Sequence, residues 1–377
     1  MMAEVLKNSK VLQTIKDSLD KNTMSDIKAT LEDLLSNCLN IAVIGKRVPE
    51  KMTFINSLRG LGDDDVGSAH AGPADTNKEP IMYPHPQHSD VRIWDLSMPE
   101  SNECNPNEYL ETVKVNRYCS LIVTVSEHLA VACAALWKEL HKAEKELYFI
   151  LLTSVTDSSD SLLEKKRSSM ESLRNQGVKS PQVFLVSSSA LHQLEFMDLL
   201  EAMEKNIPEL RMNALLFSLP SFSVPILKKK RAAFKAVVWT AASLSGGAST
   251  IPLPTVSSVL DVNMLMRILN KARDSFGLDD KSLERLAKQV RLPVAELESA
   301  RTSELSIEIS KLVIQRKLAL AEKERSLGAK LVDTALTGSV KSMTKSFTTM
   351  YFMLTASLDE LEEDAVRVLR KAYGDNH

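Results

Sequence analysis

Apolar residues near the start of the chain recur mostly every three or four positions: Val5, Val11, Leu12, Ile15 and Leu19, then Ile27, Leu31, Leu34 and Leu35. That spacing gathers them on one helical face, and the polar break at Asn22-Thr23 divides the stretch into two short helices. The period then changes. Leu39-Asn40-Ile41-Ala42-Val43-Ile44 is a short apolar run ending at Gly45, the pattern of a strand buried on both faces. Similar runs follow at Val91-Arg92-Ile93-Trp94, Leu121-Ile122-Val123-Thr124-Val125, Leu147-Tyr148-Phe149-Ile150-Leu151-Leu152 and Val183-Phe184-Leu185-Val186. Most are separated by segments with helical spacing. Parallel neighbours need crossover connections, so the alternation predicts a mostly parallel sheet with helices on both faces. Ligands of such sheets lie beyond the carboxyl ends of the strands, which places Gly45, Asp95 and the turns after Leu152 and Val186 at one edge.

After about residue 215 the strand pattern stops, and residues 225 to 375 read as helices punctuated by Gly246-Gly247, Ile251-Pro252-Leu253-Pro254, Gly277 and Pro293. The expected organisation is an α/β domain over 38–215 and an all-α domain over 216–377 that the N-terminal helices of 1–37 join. Ala236 to Leu260 holds no charged residue. Its glycines, prolines and hydroxyl residues would leave backbone groups unpaired in lipid, so a helix, a buried turn and a second helix are expected rather than a membrane span. From Val332 onward, Leu336, Val340, Met343, Phe347, Met350 and Leu354 form one stripe. The acidic run Asp359-Glu360-Leu361-Glu362-Glu363-Asp364 that follows would be repelled by anionic lipid and is expected to cap the next helix, so the stripe is assigned to the helical core.

Composition narrows the function classes. With 377 residues, 44% hydrophobic and 25% charged, the chain has material for two or three cores of ordinary globular type. A net charge of -2 supplies no long-range field for nucleic acid or an anionic membrane. Cys38, Cys104, Cys119 and Cys133 show no C-x-x-C pair and read as free thiols of a reducing compartment. The start Met1-Met2-Ala3-Glu4 has neither signal-peptide regions nor a Met-Gly opening, so the protein is expected to be cytoplasmic and not myristoylated. The seven histidines show no metal spacing.

The segment Gly45-Lys46-Arg47-Val48-Pro49-Glu50-Lys51-Met52 lies where a strand passes into a helix and matches G-x-x-x-x-G-K-[ST] at Gly45 and Lys51. The matching form works because loop amides curl around phosphates while the lysine and a hydroxyl meet phosphate and magnesium. Glu50 replaces the second glycine with a carboxylate, and like charges at about 4 Å repel by roughly 4 kcal/mol at an effective dielectric of 20. Pro49 removes an amide donor, and Met52 replaces the magnesium hydroxyl. Thr53 brings a hydroxyl one position late, rotated by about 100° on a helix. Taken alone, a lysine after such a turn carries no function.

Lys51-Met52-Thr53-Phe54-Ile55-Asn56-Ser57-Leu58-Arg59 and Trp94-Asp95-Leu96 resemble the immunity-related GTPases, in which S-F-I-N-A-L-R and W-D-L-P-G recur. The likeness continues through Val183 to Ser188, Ser218-Leu219-Pro220-Ser221, Lys229-Lys230-Arg231 and Phe276 to Ala287, and so covers nearly the whole chain. It implies a Ras-like P-loop domain embedded in a helical domain built from both chain ends. It also implies vestigial nucleotide positions at Gly45, Lys51, Thr53, Thr76, Asp95, Asp157 and Ser187. The switch segment resembles Gly67 to Thr76, where Gly72 and Thr76 survive. The D-x-P-G glycine has become Met98, and T-K-x-D falls on Thr153-Ser154-Val155-Thr156, with Asp157 one residue late and Ser187-Ser188 a small turn of the kind that approaches the base.

The resemblance thus implies a degenerate, catalytically inactive member that regulates or scaffolds other proteins in cell-autonomous immunity or autophagy-linked processes. Its partners would be proteins, catalytic relatives among them, engaged through the nucleotide-domain face, with no nucleic acid. No cofactor is expected, and GTP or GDP with Mg2+ enters only under the alternative of a residual GTP-binding protein or slow GTPase, cytoplasmic or peripheral on endomembranes. Glu195-Phe196-Met197-Asp198-Leu199 fits an autophagy-adaptor ligand pattern, but the same spacing fits a helix that buries Phe196 and Leu199, which is the favoured reading.

Overall fold

The structure is a computed structural model that describes residues 9–21, 23–70, 79–98, 105–126, 130–153, 158–247, 261–336 and 345–374. In chain order it forms α1 (Lys10–Asp20), α2 (Met24–Leu35), β1 (Leu39–Gly45), α3 (Pro49–Leu58), β2 (Ile81–Pro84), β3 (Val91–Ser97), α4 (Pro106–Thr112), β4 (Ser120–Thr124), α5 (Ala130–Lys142), β5 (Leu147–Thr153), α6 (Ser159–Asn175), β6 (Val183–Ser187), α7 (Phe196–Asn206) and α8 (Glu209–Ser218). Seven helices complete it: α9 (Val224–Gly247), α10 (Val262–Ser275), α11 (Asp280–Val290), α12 (Val294–Glu298), α13 (Glu304–Ile307), α14 (Lys311–Leu336) and α15 (Lys345–Tyr373). Packing divides the chain into a unit of Cys38–Phe222 and a unit of Met1–Asn37 with Ser223–His377.

In the first unit, six strands form one sheet in the order β2-β3-β1-β4-β5-β6. All pairs are parallel except β2 with β3. The five apolar runs are the five parallel strands. β2 escapes sequence reading because it is four residues long, lies at the sheet edge and ends in Pro84, so it has neither the length nor the buried run that marks the others. Strand residues alternate between faces. Ala42, Ile44, Leu96, Val123 and Phe149 share one buried cluster with Leu110 of α4, Cys133 of α5 and Leu173 of α6. On the other face lie α3, which packs on β1 and β5, α8 on β1 and β3, and α7 on β6. There Phe54 meets Phe196 edge to face at 6.4 Å. Phe196 and Leu199 are buried, as the helical spacing requires.

In the second unit, α9 packs against α15, α2 and α1. Phe347, Met350 and Leu354 of the apolar stripe are buried on α15. The side chains of Leu336, Val340 and Met343, and residues 248–260 of the uncharged segment, lie outside what is described. Among the described residues no helix is long and apolar enough to cross a membrane. The acidic run does not precede a helix; it lies inside α15. Arg231 of α9 donates to Asp359 at 2.7 Å. Asp364 caps a helix N-terminus across the fold, accepting from the amides of Thr302 at 2.9 Å and Ser303 at 2.8 Å at the start of α13. Burial pushes this carboxyl up, but hydrogen bonds from Ser306, Thr302, Ser303 and Arg367 outweigh it and hold Asp364 below its ordinary value. A helix cap depends on geometry alone, so a residue about sixty positions away serves as well as a neighbour.

Lys230 of α9 is fully buried, and its ammonium donates to the carbonyl of Ser275, the last residue of α10. Burial pushes its pKa down to about 7. The unfolded lysine titrates near 10.4, so between the two values the unfolded chain binds more protons and stability rises with pH. Measured against Lys230→Met, the parent is expected to gain on the order of 2 kcal/mol between pH 7 and pH 9. Thermal denaturation of both proteins at the two pH values checks this, and parallel midpoints for parent and variant would overturn it.

Candidate functional site

The carboxyl ends of β1 and β3 meet the start of α3, and the parallel register that sets Val43 beside Asp95 brings Gly45, Lys51 and Asp95 together. Gly45 takes φ +155°, and a Cβ there would stand 1.9 Å from Thr124 Oγ1, so only glycine fits between the strands. The loop beyond runs only from residue 46 to residue 48 before the helix begins. α3 begins at Pro49, with the amides of Lys51 and Met52 both donating to Val48 O at 3.1 and 3.3 Å. Pro at the first helical position and an acid in the first turn are favourable helix-start chemistry. Pro49 and Glu50, read in the sequence as damage to a phosphate loop, are locally the signals that start the helix early. Glu50 itself is exposed.

Lys51 is fully buried. Its Nζ lies 2.5 Å from Asp95 Oδ1 and donates to Gly45 O at 2.7 Å and Leu96 O at 3.0 Å. The two carbonyls take hydrogen bonds from the ammonium, and the Asp95 contact is an ion pair. Asp95, also buried, has a second cation nearby: Arg47 Nε stands 3.7 Å from its Oδ2. Arg47 Nη2 donates to His70 O at 3.1 Å and reaches Tyr83 Oη at 3.4 Å. Burial pushes the Tyr83 phenol up, with the Arg47 charge acting in the opposite sense.

The remaining predicted positions do not join this cluster. Thr53 Oγ1 donates to Asp63 Oδ2 at 2.7 Å. Ser187, at the end of β6, accepts from the amide of Ala190 at 3.2 Å. Thr76 and Asp157 lie outside the described residues, as do Gly72, Ser154, Val155 and Thr156. Met98 sends its amide to Gly45 O at 3.3 Å and its side chain into the core. Met52 is buried as well. A thioether offers no hard oxygen to magnesium, and Asp95 faces Lys51. Among the described residues no group of three or more His, Cys, Asp or Glu is placed to hold a metal.

Sequence reasoning gave no role to Arg47, and quoted Asn56, Ser57 and Arg59 only as part of the family likeness. Asn56 exchanges hydrogen bonds with Ala69, accepting from its amide at 2.6 Å and donating to its carbonyl at 3.0 Å, and donates to Asp63 Oδ1 at 2.8 Å. Arg59 donates to Gly67 O at 2.8 Å and Pro84 O at 3.0 Å, and Ser57 Oγ donates to Ser188 O at 2.7 Å. The available signal was a polar Asn and Arg three residues apart on a helix rich in buried positions.

Comparison with known proteins agrees with this architecture. The family model described as Interferon-inducible GTPase (IIGP) matches residues 4–372. The chain is 30% identical to Interferon-inducible GTPase 5 of Bos taurus, over 98% of this chain and 83% of that one. It is also 30% identical to Interferon-gamma-inducible GTPase 10 of Mus musculus, over 98% and 93%. A solved chain from an oligomerised bacterial dynamin pair aligns over 98% of this chain and 77% of its own at 13% identity and a TM-score of 0.36, too low to add to the argument.

Asp95→Asn would leave the Lys51 ammonium buried without its counter-charge, at a cost of about 3–5 kcal/mol. Pairing it with Lys51→Met is expected to recover much of that loss. Denaturant unfolding of the two single variants and the double variant measures the coupling, and strictly additive losses would overturn the pairing.

Proposed function

We propose a function on one premise: this chain belongs to the interferon-inducible GTPase family. Within it, the chain is a pseudo-GTPase that acts by binding other proteins rather than by turning over nucleotide. The observation that carries this reading is the buried Lys51, held by Asp95, Gly45 O and Leu96 O. A phosphate can take this lysine only by opening the ion pair, and it would then face the released Asp95 carboxylate. Like charges at about 4 Å repel by roughly 4 kcal/mol at an effective dielectric of 20. Met52 and Met98, both buried, supply neither the magnesium hydroxyl nor the glycine geometry that would offset that cost.

The role that follows is regulatory or scaffolding, in cell-autonomous immunity or autophagy-linked processes, in the cytoplasm or peripherally on endomembranes. The docking face is the nucleotide-domain surface of residues 67–78 and 96–108, of which 71–78 and 99–104 lie outside the described residues. A second reading, a residual GTP-binding protein, has one observation in its favour: Gly45, Lys51 and Asp95 still converge at the strand ends.

Two measurements decide between them. Purified protein is expected to release no guanine nucleotide on heat extraction and to bind GTP or GDP with Mg2+ no tighter than about 100 μM, the scale of −5.5 kcal/mol. A micromolar dissociation constant by calorimetry would instead establish the second reading. For the docking face, a catalytic relative from the same cell should co-purify with the parent and be lost from a variant carrying Asp75→Lys and Glu103→Lys. Equal recovery by both would move the contact to the helical unit.

A further inference from the structure

In GTPases that cycle, the terminal phosphate and its magnesium order the switch loops and release them on hydrolysis. The same ligand ties the phosphate loop to the third-strand aspartate. Resting on the reading that this site is not loaded, we infer that the Arg47 guanidinium is a built-in replacement for that ligand. It is a hydrogen-bonded tether, built into the chain, that holds the switch segment at His70 in one form whatever the nucleotide supply.

The tether starts in the loop between β1 and α3 and ends on three separate elements. Its Nη2 donates to the backbone carbonyl of His70, at the end of the described switch segment, and reaches the hydroxyl of Tyr83 on β2. Its Nε stands 3.7 Å from Asp95 of β3, which in turn holds Lys51 of α3. One fixed cation thus makes the connections that a metal and phosphate make transiently elsewhere. Arginine suits this task because its planar fork presents several donors in a rigid arrangement, whereas lysine presents a single point charge on a flexible stem.

The segment before His70 is held by other means. Asn56 binds both backbone groups of Ala69, Arg59 binds Gly67 O, and Ser68 Oγ donates to Asp63 O at 2.7 Å. Arg59 also lies over the Tyr83 ring of β2, 5.4 Å from its centroid, but none of these contacts reaches the cluster at Asp95. Arg47 alone among these residues links the switch segment to Asp95, so its removal should loosen the His70 end and the approach to β2 while leaving residues 61–67 clamped. A partner that docks there meets one form, and a fixed form biases the partner only through differential affinity for the partner's own states.

Hydrogen-exchange mass spectrometry on the full chain tests the tether, comparing the parent with Arg47→Ala and Arg47→Lys, each with and without GTP and Mg2+. Peptides covering 68–83 are expected to exchange about tenfold faster in Arg47→Ala, the scale of losing one charge-assisted hydrogen bond. Arg47→Lys should fall between the two, and peptides from 61–67 and from β4 to β6 should not change. Unchanged exchange at 68–83 in Arg47→Ala would overturn the inference, as would full rescue by Arg47→Lys, which would make a point charge sufficient. Faster exchange spread evenly over the sheet unit would also overturn it, since it would make Arg47 a general stabiliser. The nucleotide arm separates the two proposals. Protection of the parent by GTP and Mg2+ would end the pseudo-GTPase reading and the independence from nucleotide with it, while faster exchange in nucleotide-free Arg47→Ala would still show that Arg47 holds the segment.

Discussion

A carboxylate buried between strands must have a counter-charge, and at Asp95 that requirement shapes everything around it. Parallel pairing of β1 and β3 sets Asp95 beside Val43, at 2% exposure, with little water to solvate it. Lys51 answers the charge from the first turn of α3, and the two backbone carbonyls it also binds anchor that turn to both strands. Buried pairs of this kind contribute little net stability but are costly to break, because the partner left behind has no other solvation. The loop is therefore closed by the same groups that would open to a phosphate in a loaded site.

The residues that carry the family likeness serve the fold at least as much as the site. Phe54 packs on Phe196, Ser57 ties α3 to the turn after β6, and Asn56 with Arg59 clamps the segment that follows the helix. None of these contacts requires a nucleotide. The signature is thus needed by the fold as well as by any ligand, which accounts for a strong resemblance around a phosphate loop that departs from the pattern at Glu50 and Met52.

The helical unit resolves its buried charges by distant partners in the same manner. Lys230 finds the last carbonyl of α10, and Asp364 finds the first amides of α13. Helix termini offer unpaired backbone groups; the amides of α13, with Ser306 and Arg367, outweigh burial at Asp364, whereas the Ser275 carbonyl at Lys230 does not, and its pKa stays lowered. Of the triplet Lys229-Lys230-Arg231 that carries part of the family likeness, Lys230 lies in the core and Arg231 pairs with Asp359.

The sequence by itself determined the five parallel strands, the helices that cover them, the all-helical remainder and the family, because each rests on local periodicity or on adjacent residues. It also placed Gly45 and Asp95 at one sheet edge and Lys51 in the loop-to-helix segment that follows Gly45. The partners of those residues were decided only by the tertiary structure. Whether Lys51 points outward to a ligand or inward to Asp95 depends on where α3 begins and on the register of β1 against β3, neither of which is a property of the loop alone. The short edge strand β2, the reach of Arg47 across 23 residues to His70 and the capping of α13 by Asp364 are likewise hidden. Each is a contact between segments far apart in the chain, where pattern and propensity carry no information about distance.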